Sequence, residues 1–63
     1  MSTRIELLKQ ARARMADERD TFVKTLAAPF DRDNAERARN RFIEFQKVVE
    51  ALDQAIAGEL AAT

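Results

Sequence analysis

The sequence predicts an all-α protein: an antiparallel two-helix hairpin that dimerises into a four-helix bundle. Three observations lead there. Two long stretches carry apolar residues at helical spacing. The single proline of the 63-residue chain, Pro29, stands near its midpoint within Ala27-Ala28-Pro29-Phe30-Asp31-Arg32-Asp33-Asn34. Finally, the charges along the two stretches run in opposite senses. Proline has no amide donor for a helix interior and disfavours helical geometry in the residue before it, so the two stretches are separate helices rather than one. The expected boundaries are a helix over about 3–28, a turn over about 29–33 and a helix over about 34–60, forming one domain over 1–63.

Thr3 and Glu6 have the spacing of a capping box, in which each side chain satisfies a backbone amide of the first turn, and this starts the first helix. Leu8, Ala11, Met15, Phe22 and Leu26 then share one face, with Ile5, Ala16 and Val23 along its margin. Lys9, Asp17, Asp20 and Lys24 point away. Arg12 and Arg19, seven residues apart, lie on or beside the apolar stripe.

The second helix opens at Asp31 or Asp33. Asp33 and Glu36 repeat the capping-box spacing, and acids in a first turn suit the helix dipole. Ala35, Ala38, Phe42, Phe45, Val49, Leu52 and Ile56 alternate three and four apart, a heptad seam widened on one side by Val48 and Ala55. Phe30 is placed as a hydrophobic staple over the end of the bundle. Gly58 is expected to loosen the last turn, leaving Leu60 as a closing contact. Each helix spans roughly 25 residues, or ~37 Å.

Basic residues Arg4, Lys9, Arg12 and Arg14 precede the acids Asp17, Glu18 and Asp20 in the first helix. In the second, Arg32, Arg37, Arg39 and Arg41 precede Glu44, Glu50, Asp53 and Glu59. An antiparallel pairing sets each block against its opposite charge, whereas a parallel one opposes like charges. Level pairs are then Leu8 with Leu52, Met15 with Phe45, and Phe22 with Ala38, the last setting a large residue against a small one.

Chains this short rarely bury enough apolar surface to be stable alone. The sequence has no cysteine and no histidine, so neither a disulfide framework nor a Cys/His zinc site can supply the difference, and self-association is the expected remedy. Eleven basic and eleven acidic residues cancel, which gives no global field towards nucleic acid or an anionic membrane. There is no apolar run of signal-peptide or membrane-spanning length, so a soluble cytoplasmic protein with no membrane partner is expected.

Histidine, cysteine, tyrosine and tryptophan are absent and the one glycine is isolated. General acid-base, nucleophilic and phosphate-cradling chemistry therefore lacks its usual residues, and neither an enzyme nor a cofactor or metal site is expected. The expected interface and core residues are Ile5, Leu8, Met15, Phe22, Leu26, Phe42, Phe45, Val49, Leu52 and Ile56. Arg32, Arg37, Arg39 and Arg41 are the candidates for an anion or nucleic-acid contact, interrupted by Asp33 and Glu36. If Arg12 and Arg19 are buried they need acids such as Glu44 or Glu50, or an anionic ligand; otherwise they snorkel from the stripe's edge. Leu7 and Ile43 project opposite their stripes as a second, weaker docking surface. The expected function is that of a homodimeric protein-protein interaction or regulatory module. The alternatives are a nucleic-acid-binding regulator using the arginines near the turn, or a small subunit docking on a larger assembly.

Overall fold

The computed structural model describes residues 3–28 and 32–62, and every one of these except Thr3, Thr21, Phe22 and Ala28 lies in an α-helix. Helix α1 runs Arg4–Asp20, α2 runs Val23–Ala27, and α3 runs Arg32–Ala62. Helices α1 and α2 both pack along α3. Arg4 meets Glu59 and Arg12 meets Asp53, so the first arm lies antiparallel to α3. The fold is all-helical, with no strand among the described residues. The sequence expectations for Pro29, Phe30 and Asp31 lie outside the described residues.

The Thr3–Glu6 capping box forms in both directions. The Glu6 amide donates to Thr3 Oγ1 and the Thr3 amide to a Glu6 carboxylate oxygen, each at 3.2 Å. At the other helix start, α3 already includes Arg32, so of the two expected openings Asp33 sits within the first turn instead of capping it, where its charge still favours the positive end of the dipole; the Asp31 alternative lies outside the described residues.

The first arm was expected to be continuous and is interrupted at Thr21 and Phe22. Thr21 Oγ1 donates to the Glu18 carbonyl at 2.7 Å, the acceptor that an uninterrupted ladder would offer to the Phe22 amide. That amide bonds instead to the Arg19 carbonyl at 3.2 Å, a tighter three-residue closure. Back-bonding of this kind by threonine competes with the helix ladder and bends helices. The neighbouring Val23 and Thr25 are β-branched and lend the ladder little support.

Helix α3 passes through Gly58 without a break and ends at Ala62. A glycine inside a helix costs about 1 kcal/mol relative to alanine, which the surrounding Ala57, Glu59, Leu60, Ala61 and Ala62 offset by their high propensity. Leu60 is exposed and does not close the core.

The hairpin is long and thin. Its principal extents are 48 × 19 × 12 Å and its radius of gyration is 14.7 Å, against about 11 Å for a compact chain of this length. Among the described residues only Ala38 and Val49 are fully buried, at 3% and 2% exposure. The remaining expected seam residues, Leu26 apart, are half-buried, because two helices cover only one side of each other's stripe.

Candidate functional site

The geometry that distinguishes this hairpin is a seam with two unlike flanks. Along the seam, Ile5, Leu8, Met15 and Phe22 from the first arm are half-buried, as are Phe42, Phe45, Leu52 and Ile56 from α3, and Val49 is buried. Phe22 stacks on Phe45 with ring centroids 6.0 Å apart and an interplanar angle of 19°. Phe22 therefore reaches one residue-pair layer further along α3 than its expected partner Ala38, although both still border the same shallow depression. Helical side chains lean towards the N-terminus of their own helix, which in an antiparallel pair carries each contact past the Cα level. Leu26, expected in the seam, is 39% exposed; it belongs to the last turn of α2, beyond which Ala28 is extended.

One flank is polar. Arg12 Nε donates to Asp53 at 2.7 Å and Arg19 Nη1 to Gln46 Oε1 at 2.7 Å, while the Gln46 amide donates to Glu50 at 3.1 Å. Arg19 also bonds Asp20 at 2.9 Å and lies over the Phe42 ring at 6.0 Å, within range for a cation-π contact. The Arg19 side chain is 22% exposed and that of Arg12 43%, so neither is a buried charge, and neither meets Glu44. The hydrogen bond that Arg12 donates to Asp53, and then the charge of that carboxylate, hold the Arg12 guanidinium above its ordinary pKa. Arg12 therefore stays charged over any working pH. Pairs this exposed are screened by solvent and act mainly to fix the antiparallel register.

Gln46 and Asp53 were not singled out from the sequence. They stand seven residues apart, as do Arg12 and Arg19, and residues seven apart lie on nearly the same side of a helix. Two matching polar rows at that spacing are the signal that would have paired them. Continuing the α3 row gives Arg39 and Arg32, which with Leu26, Ala35 and Glu36 line an open groove of about 490 Å³ near the turn.

The opposite flank begins at the depression lined by Phe22, Thr25, Asn34, Arg37 and Ala38. Stepping in sevens from Asn34 gives Arg41, Val48, Ala55 and Ala62; from Arg37 it gives Glu44, Ala51 and Gly58. The half of this flank nearest the turn is charged, with Arg41 paired to Glu44 at 3.3 Å. The half from Val48 to Ala62 carries no charge in either row.

The four candidate arginines are thus not brought together. Arg32 and Arg39 line one flank, while Arg37 and Arg41 belong to the other. All four are exposed. Among the described residues, no group of three or more acidic, cysteine or histidine side chains is gathered in a way that could hold a metal ion. No helix among them is long and apolar enough to cross a membrane. Comparison with family models, curated proteins and solved structures finds no match to this chain.

Proposed function

We propose that this chain is a homodimeric interaction module: a helical hairpin that completes its core by pairing with a second copy, forms a four-helix bundle, and carries no catalysis of its own. The observation that supports this reading is surface area. The chain exposes 5050 Å² for a mass of 7.2 kDa, whereas a compact monomer of that mass exposes ~4100 Å². The excess of roughly 900 Å² is close to the ~800 Å² that each partner buries in a standard protein interface. A core of two fully buried residues among those described, one of them alanine, accords with a fold that needs further burial.

Sedimentation equilibrium at micromolar concentration tests the proposal. The expected species has twice the 7.2 kDa chain mass; a well-folded species at the monomer mass would overturn it.

A second reading, a nucleic-acid-binding regulator, is favoured by one observation: Arg32, Arg37 and Arg39 take no ion-pair partner among the described residues. Their division between two flanks and the balanced net charge weigh against it. Binding of RNA or DNA that falls steeply with salt would support it, and its absence at low salt would remove it.

A further inference from the structure

Resting on the dimer reading above, we infer that the second copy docks on one particular face: the uncharged half-flank formed by Val48, Ala51, Ala55 and Gly58 of α3, continued across the seam by Leu7 and Ala11 of α1. The pairs Arg4–Glu59 and Arg12–Asp53 set the start of α1 level with this part of α3, so that Leu7 and Ala11, four apart on one side of α1, stand at its height. Leu7 and Val48 are 55% and 42% exposed on it.

Three features select this face and this occupant. The opposite flank is already taken by its own polar ladder from Arg12 to Glu50, and docking there would require those charged groups to be desolvated. On the α3 part of the chosen face Ala51, Ala55 and Gly58 are small, which lets a second helix approach closely. Gly58 sharpens the point. A side-chain carbon added there would meet nothing within 4 Å, so no neighbour within the hairpin requires a glycine at a position where it weakens the helix. An approaching backbone would. A two-fold axis lets one patch serve both copies, so the face is its own partner and needs no other sequence. The exposed excess matches what such a pairing covers.

The test compares the parent chain with Ala51→Arg and Gly58→Arg on the proposed face and Ile43→Arg on the polar side, by sedimentation equilibrium with circular dichroism at the same concentrations. Arginine is a stronger helix former than glycine, so a loss of association in Gly58→Arg does not come from a weaker helix. The expected result is that the two variants on the face raise the dimer dissociation constant at least about tenfold, as disruption of an interface centre does, while Ile43→Arg associates like the parent. A concentration-dependent loss of helix in Ala51→Arg and Gly58→Arg alone supports the same conclusion, since folding and association are then one equilibrium. A parent that is monomeric and folded overturns the dimer reading itself. A dimeric parent whose face variants associate normally, or whose Ile43→Arg variant dissociates as readily as they do, overturns only the choice of face.

Discussion

Replacing Val49 with alanine tests where the core lies. Val49 is the largest fully buried side chain, at 2% exposure, and sits in the middle of the seam between Phe45 and Leu52. The substitution removes the equivalent of two methylene groups, worth ~0.8 kcal/mol each in transfer, and the residual cavity adds to that, for a cost of about 2 kcal/mol. In a chain of this size 1 kcal/mol moves the melting midpoint by ~4–8 °C, so a fall of roughly 8–16 °C is expected. Thermal and urea melts by circular dichroism read it, all at one protein concentration so that the proposed association contributes equally to every variant. Ile43→Ala is the control: Ile43 is 44% exposed, and surface substitutions usually stay within about 0.5 kcal/mol. Equal midpoints for the two variants would show that the seam is not the core.

Other outcomes follow from particular contacts. Ala38→Leu should destabilise by ~1–3 kcal/mol through overpacking, since Ala38 is 3% exposed and shares a depression with Phe22; denaturant midpoints check it. A double-mutant cycle on Phe22 and Phe45 should give a coupling of ~0.5–1.5 kcal/mol for the stacked pair, and a coupling of zero would mean the rings do not meet. Thr3→Ala should cost about 1 kcal/mol by removing the cap, read as a lower melting midpoint. Thr21→Ala should release the Glu18 carbonyl to the Phe22 amide and join α1 to α2, which appears as stronger hydrogen-exchange protection at Phe22.

Much of this hairpin was legible in the sequence because its determinants are local. The Thr3–Glu6 box is a four-residue pattern whose bonds depend on nothing distant, and the heptad alternation from Ala35 to Ile56 places a stripe whatever packs against it. The antiparallel sense followed from charge blocks, which average over many residues. What the sequence concealed depended on competition between near-equal alternatives. Whether Thr21 bonds back to Glu18 or leaves the ladder intact is a small energetic difference, and the cluster Thr21, Phe22, Val23 and Thr25 was the only warning. Arg12 and Arg19 were expected to pair with acids such as Glu44 or Glu50 if buried and otherwise to snorkel from the stripe's edge. Both stay partly exposed and bond Asp53 and Gln46, because long, flexible side chains reach past the level of their own Cα atoms. Only Gln46 then links Arg19 onward to Glu50. The division of the four arginines between two flanks needed helix phase as well as sequence proximity.

The dependence of thermal stability on protein concentration tests the central claim most directly. If folding and pairing are one equilibrium, a hundredfold rise in concentration above the dissociation constant contributes about 2.7 kcal/mol, a shift in midpoint of roughly 10 °C or more for a chain of this size. The homodimeric hairpin predicts that shift. A midpoint that stays constant across the same range, in a chain that is fully helical throughout, would contradict it.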